Sequence, residues 1–307
     1  MTGAARGEIV DGGFYGPQSE AWRLNREAML LLGAGPRALL LQIAHPLVAA
    51  GVAEHSDFRS DPWSRLSGTL RSYLRIVYGT ADAARDEIGR LHGLHRGIRG
   101  DVLDAGARSR HGRRYSALDP DLSLWVHATL VDSTIAAYDA WVEPLARAER
   151  ARYYAETLPV GRAFGIPASR LPGDLDAFEA YLDDMLRPGG PIEVGDTARE
   201  LAGAILHPPL GAAVAAAGFP FDRLAGMADA IPSRAYAWLF WPAIGLLPPR
   251  IRESYALPWG IRQRAVAAWL VATWSAWRPV LPAEFRQMPQ ALRADRRVGA
   301  GEPLLHA

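Results

Sequence analysis

The stretch RALLLQIAHPLVAAGV, residues 37–52, places a His-Pro pair between two strongly apolar segments. Proline disfavours helical geometry in the residue before it, so the stretch predicts two buried helices that meet at His45-Pro46. A break in such apolar sequence frees backbone polar groups and leaves a polar side chain beside them. We interpret His45 first as part of a structural break. A functional histidine is the alternative.

Helical spacing of apolar residues continues on both sides of this stretch, whereas the alternation typical of strands is scarce. Proline and glycine punctuate the segments, and a turn is expected at 33–36, where Gly33-Ala34-Gly35 precedes Pro36. We find no linker that would separate two domains and no internal repeat. The fold class is therefore predicted to be all-α, a single multi-helix domain. Its helices are expected at 19–31, 37–44, 46–52, 61–78, 83–98, 121–142, 149–164, 174–186, 197–206 and 260–277.

Composition narrows the classes of function. The chain has 307 residues, of which 49% are hydrophobic and 22% charged, with a formal net charge of +1. It can bury a sizeable core, and its charge does not indicate nucleic-acid binding. Cysteine and lysine are both absent, so thiolate ligands, disulfides and lysine catalysis are excluded. The N-terminus lacks the apolar region of a signal peptide, and no uninterrupted apolar run spans a bilayer, so we expect a cytoplasmic protein.

The segment HGLHRGIR, residues 92–99, carries the strongest candidate for chemistry. His95 falls on the apolar stripe of its predicted helix, and Arg99 follows one turn later on the same face. A core histidine bonded to a carbonyl is the commoner explanation. The functional alternative is an axial haem ligand, with Arg99 placed to meet a propionate. His92 is a competing ligand that periodicity cannot separate from His95.

A second pair, Arg65 and Thr69, lies one turn apart on the helix predicted at 61–78. The pair could be an exposed arginine and a filler residue, or it could stand at the edge of a cofactor pocket. Arginine would then meet a carboxylate, and threonine would supply a hydrogen bond. Taken alone, the spacing does not decide between these interpretations.

Other polar residues are more simply explained as structural. Glu54 to Asp57 favour a cap and turn over an acid–base group, and His127 favours a core hydrogen bond over a pocket wall. The patterns HExxH and GxSxG are absent, and Gly33-Ala34-Gly35 follows no strand. A zincin, a common serine hydrolase and a dinucleotide-binding fold are therefore not supported.

The run from Leu39 to Thr80, together with HRGIRG, YSALDP, LWVHAT and EFRQMP, resembles the DUF2236 family, also described as the MpaB-type or rubber oxygenase catalytic domain. The similarity covers roughly residues 20–295. It sets an expected domain over 20–295, an N-terminal extension over 1–19 and a flexible tail over 296–307. Understood members such as latex clearing protein look like haem b oxygenases with an all-helical, globin-like, haem-binding core.

The resemblance implies roles for four residues. The proximal iron ligand of the family falls on His95, its Arg and Thr four residues apart fall on Arg65 and Thr69, and its later arginine falls on Arg99. We therefore expect His95 to bind the metal, with Arg65, Thr69 and Arg99 around the cofactor and Arg65 and Thr69 close to the chemistry. Where rubber-cleaving members have a lysine before that threonine, this chain has Gly68, which predicts a different distal side.

The resemblance implies a haem b-dependent oxygenase that uses O2 on a hydrophobic, alkene-bearing small molecule. A haem sensor or carrier without turnover is the alternative, and a cofactor-free helical interaction module is the third interpretation. The resemblance identifies no electron donor, and it assigns no role to His45, Glu54 or His127. The Trp-rich C-terminal third leaves open a peripheral membrane contact, although Trp269 and Trp277 are more simply interpreted as core or pocket lining.

Overall fold

The computed structural model describes residues 14–55, 62–102, 112, 114–209, 217 and 232–299, with the backbone alone described at 62–66 and 233. The all-α prediction is confirmed, because helices dominate and the described strands form one two-stranded sheet. A globin-like arrangement stays a prediction. In chain order the elements are α1 Glu20–Asn25, α2 Leu30–Ile43, α3 Pro46–His55, α4 Pro62–Tyr78, α5 Ala81–Gly97, β1 Arg99–Asp101, β2 Arg114–Ser116, α6 Pro120–Trp141, α7 Arg147–Ala163, α8 Leu175–Leu186, α9 Asp196–Leu206, α10 Trp241–Leu246, α11 Pro249–Ser254, α12 Ile261–Trp277, α13 Ala283–Arg286 and α14 Pro289–Val298.

The packing of α2 against α6 forms the centre of the core. Trp125 of α6 is fully buried, and its indole N–H donates to the carbonyl of Leu41 over 3.1 Å. Gly33 lets the two helices approach closely, because a Cβ atom there would lie 2.8 Å from Nε1 of Trp141. Both helices carry apolar residues on most of their surface, as expected for helices enclosed by others.

The turn expected at 33–36 is wrong, because α2 runs unbroken from Leu30 to Ile43 with Pro36 inside it. Gly33 and Pro36 are both buried. The burial of this helix face against α6 outweighs the local preference of Gly and Pro for a turn.

The break at His45-Pro46 is confirmed. Helix α2 ends at Ile43, α3 begins at Pro46, and the two helices are bent by 99°. The buried imidazole of His45 accepts a hydrogen bond at Nδ1 from the backbone N–H of Leu47 over 3.2 Å. This bond satisfies a backbone donor at the start of α3 and gives His45 a structural role.

Two termini differ from the expected boundaries. Helix α5 ends at Gly97, and the chain then forms an antiparallel hairpin in which Arg99 pairs with Ser116 and Asp101 with Arg114. At the C-terminus, α14 continues to Val298, three residues beyond the boundary expected at 295. Within the predicted N-terminal extension, Tyr15 is buried.

Within the described residues, no single helix is long and apolar enough to cross a membrane. The bent pair Leu30–Ile43 and Pro46–His55 reaches the required length and hydropathy only when its two helices are taken together.

Candidate functional site

A cavity of about 470 Å³ lies between helices α2 to α7. Pockets of this size are typical of small-molecule sites, which combine apolar walls with a few polar groups. Helix α5 turns one face towards it, formed by Arg90, Leu91, Leu94 and His95, and Ile98 directly after the helix also lines the cavity. The cavity therefore places a histidine and an arginine beside mainly aliphatic walls.

The structure separates the two histidines of α5. His95 lines the cavity and is partly accessible. His92 instead contacts α7, where its Nε2 lies 3.1 Å from the carbonyl oxygen of Ala163 and its ring lies against Phe164. His92 is thus bonded to a carbonyl, and His95 is the one that faces the space in which a ligand could bind. The two interpretations of His95, a core histidine and an iron ligand, stay predictions.

Helix α4 brings Thr69 and Gly68 to the same cavity as His95. Glycine at 68 leaves the wall without a side chain next to Thr69. Arg65 lies on α4 one turn before Thr69, but its side chain falls outside the described residues. The expected neighbourhood of Thr69 and His95 is therefore present, and the role of Arg65 stays a prediction.

The placement of Arg99 on the helical face of His95 is wrong, because α5 ends two residues earlier and Arg99 begins β1. Its side chain is exposed, and it is not among the described cavity-lining residues. The backbone carbonyl oxygen of Arg99 lies 3.1 Å from Nε2 of His55. A role of Arg99 towards a cofactor stays a prediction.

Arg90 is a cation that the sequence analysis missed. It lines the cavity, and its Nη2 also donates to the hydroxyl of Ser72 on α4 over 3.0 Å. Glu87, one turn before it, is buried and pairs with it, and this bond lowers the pKa of the Glu87 carboxyl. The only signal in the sequence was the Glu-Arg spacing on α5, which is common on solvated helix faces.

His127 of α6 makes the buried hydrogen bond expected of it, and it also lines the cavity, which was the alternative interpretation. Its Nε2 lies 3.4 Å from Oγ1 of Thr157, and that hydroxyl donates to the carbonyl of Tyr154 over 2.7 Å. Because the Thr157 proton is already used, the hydroxyl can only accept, which assigns the imidazole proton to Nε2. Burial lowers the pKa of His127 to about 4, so the ring is neutral at neutral pH.

This low pKa predicts an acid sensitivity that His127→Gln removes. The unfolded chain takes up a proton near pH 6.5 whereas the folded chain does so near pH 4, so wild-type stability falls across that window as the pH is lowered. The contribution is about 3 kcal/mol in total. Urea unfolding at pH 7 and pH 4.5 should show a smaller loss of free energy in the variant. Equal losses in the two proteins would contradict this protonation state.

Tyr115 connects the hairpin to the cavity. It lines the cavity, and its hydroxyl donates to Oε2 of Glu54 at the end of α3. Burial and the Glu54 carboxylate raise the pKa of Tyr115 well above its ordinary value. Glu54 therefore anchors the hairpin to α3, and the cap expected for Glu54 is replaced by this pair. Asp57, the other end of the expected turn, lies outside the described residues.

Within the described ranges, no group of three or more His, Asp or Glu residues is arranged to hold a bare metal ion.

The family model for the catalytic domain of ER-bound oxygenase mpaB/B′ and rubber oxygenase matches residues 22–277, which include every cavity residue except Tyr15. The chain belongs to this family. The mpaB/rubber oxygenase family is one of oxygenase catalytic domains, so the cavity lies in a chain of oxygenase type.

Two curated relatives of the chain are uncharacterised proteins of Mycobacterium tuberculosis and Mycobacterium bovis. Each is 25% identical over 239 residues, which cover 76% of this chain and 83% of the relative. No solved structure matches the chain significantly. The mpaB/rubber oxygenase assignment therefore depends on the family model.

Proposed function

We propose that the chain is a haem b-dependent oxygenase that acts with O2 on a hydrophobic, alkene-bearing small molecule. The observation that carries the proposal is the position of His95 on the wall of an aliphatic cavity, within an oxygenase catalytic domain. Imidazole from a rigid helix is a common proximal haem ligand.

The residues of the cavity fit a porphyrin. Aliphatic side chains from α2, α3, α5, α6 and α7 supply apolar walls, and Arg90 supplies a cation that could pair with a propionate. Arg65 and Arg99 remain proposed partners for the same carboxylates. Thr69 of α4 would contribute a hydroxyl to the cavity wall, next to Gly68.

When bound, haem b would supply the activation of O2, and the protein would supply binding, orientation and exclusion of water. His95 would hold the cofactor, and the aliphatic walls would orient the substrate and exclude bulk water. His127 would present a neutral imidazole to the cavity, with its Nε2 proton held by Thr157. It would thus add no charge to a site meant for an apolar substrate.

The test is oxygen consumption by protein reconstituted with haemin, with a series of apolar alkenes and the matching saturated hydrocarbons. We expect O2 uptake with alkenes only, and incorporation of ¹⁸O from labelled O2 into a product detected by mass spectrometry. Protein that binds haemin but consumes no O2 with any alkene would contradict turnover and favour the sensor or carrier alternative. In that case the cavity would serve haem binding alone.

A peripheral membrane contact also stays a proposal, and α12 supports it. Trp269 and Trp277 are 58% and 61% exposed, so neither is a core residue, although Trp269 lines a surface pocket beside Trp238. Arg262 and Arg264 are exposed on the same helix. No acidic residue occurs from 254 to 283. Aromatic and cationic side chains together are typical of interfacial helices.

We expect the protein to sediment with vesicles that contain anionic phospholipid, and the double substitution W269S/W277S to reduce the sedimented fraction severalfold. Equal sedimentation of both proteins would contradict the contact.

A further inference from the structure

Four of the polar side chains on the cavity wall lie near one another: Tyr15, Asn25, Tyr73 and Tyr153. The hydroxyl of Tyr73 donates to Oδ1 of Asn25 over 2.5 Å. Thr134, Asn25 and Tyr73 lie near the Tyr153 hydroxyl and moderate the rise in its pKa, and Tyr15 lies close enough to Tyr153 to interact with it electrostatically. The four residues come from the segment before α1, from α1, α4 and α7, so their meeting is a property of the fold.

Tyr15 has unused hydrogen-bonding capacity. Its side chain lines the cavity and the residue is only 7% exposed. Among the described residues its hydroxyl has no hydrogen-bond partner. The hydroxyl is accessible at the cavity, whereas the neighbouring Tyr73 hydroxyl already donates to Asn25. The Tyr15 hydroxyl is thus free to bind a group that enters the cavity.

The charge around this cluster favours an uncharged ligand group. Burial raises the pKa of Tyr15, Tyr73 and Tyr153, so the three phenols stay neutral at neutral pH. The carboxylate of Glu156 lies near Tyr15 and Tyr153, and it is held by the backbone N–H groups of Glu20 and Ala21. An anion in this part of the cavity would meet a negative potential and no cation of the cluster itself.

We propose that these four residues form a subsite for an uncharged oxygen group, a hydroxyl or a carbonyl, on an otherwise apolar substrate. The proposal rests on the proposed function, because it assumes that an apolar molecule enters this cavity. It narrows the group bound at this cluster to a neutral hydroxyl or carbonyl, because the cluster itself offers a carboxylate no cation. Tyr15 would be the specificity-determining residue, since its hydroxyl is the one left unpaired.

The test compares octanol, octane and octanoate as probes, with dissociation constants measured by calorimetry at pH 7.5. In the wild-type protein we expect octanol to bind about three- to tenfold more tightly than octane, as one neutral hydrogen bond provides. Octanoate should bind more weakly than octanol. The variant Tyr15→Phe should lose most of the preference for octanol over octane while its affinity for octane stays the same.

Tyr181→Phe is the matched control, because Tyr181 does not line the cavity. It should leave the preference unchanged. Thermal unfolding gives a second readout: Tyr15→Phe should not lower Tm, since it removes an unpaired hydroxyl, whereas a structural role would lower it.

The outcomes separate this proposal from the proposed function. Binding of octane without any preference for octanol, or with a preference that Tyr15→Phe keeps, would overturn the subsite and leave the apolar cavity intact. Tightest binding of octanoate would overturn its neutral character. Failure of all three probes to bind would overturn the subsite together with the ligand-binding cavity on which the proposed function depends.

Discussion

His95→Ala is expected to abolish haem binding, so that the purified variant lacks a Soret band and takes up no added haemin. His95 is the described histidine of α5 that lines the cavity, and removal of its imidazole would leave the proposed haem iron without its protein ligand. The expected loss is complete at micromolar protein, because apolar contacts alone would not retain a defined iron environment. Absorption spectra of wild type and variant, each titrated with haemin, measure this effect.

His92→Ala is the matched control, since it removes an imidazole three residues away. Nε2 of His92 lies against the carbonyl of Ala163, so the variant should lose about 1 kcal/mol of stability and keep the Soret band. A Soret band that survives His95→Ala and disappears in His92→Ala would reverse the assignment of the ligand.

Asp295→Ala is expected to destabilise the fold by about 3–5 kcal/mol, because it leaves a buried guanidinium without its counter-ion. Asp295 pairs with Arg26, and the two side chains are 11% and 5% exposed. Its other oxygen accepts the indole N–H of Trp22 over 2.9 Å. The substitution therefore separates α14 from α1. Urea unfolding followed by circular dichroism gives the change in free energy.

Asp184→Ala is the comparison for this prediction. Asp184 pairs with Arg187 on the surface, where both side chains are more than half exposed, so its loss should change the free energy of unfolding by less than about 1 kcal/mol. Similar effects of the two substitutions would show that the Asp295 pair contributes no more than a surface pair.

Much of the helical framework could be predicted from the sequence where periodicity and terminators agree. The His45-Pro46 break and the long helices α4, α6 and α12 lie within one or two residues of their expected bounds. In α6, for example, Asp119 accepts from the backbone N–H of Asp121, and a proline occupies the first turn. Such signals act within a few residues, so they predict where a helix begins or ends without knowledge of the tertiary structure.

What the sequence could not predict depends on tertiary packing. The helix through Pro36 is held by burial against α6, and strands of three residues such as β1 carry too little pattern to detect. Arg99 was misplaced because a helix that ends two residues earlier turns its next residues away from the stripe. Boundaries of one or two residues thus decide which side chains reach a site.

The candidate site also contains residues that the sequence could predict and residues that it could not. The resemblance pointed to Thr69 and His95, and both line the cavity. It did not point to Arg90, whose position depends on Ser72 of the neighbouring helix, or to Tyr15, which fell in the expected N-terminal extension. These residues acquire their place only when separate segments pack together, which local spacing does not encode.

The most direct measurement is the absorption spectrum of the wild-type protein, oxidised and dithionite-reduced, during titration with haemin. The account predicts a Soret band that grows until haemin and protein are equimolar and then stops, with a shift on reduction. A protein that stays colourless and leaves added haemin free in solution would contradict the proposed haem-dependent function. It would leave an all-α member of the oxygenase family whose cavity serves another purpose.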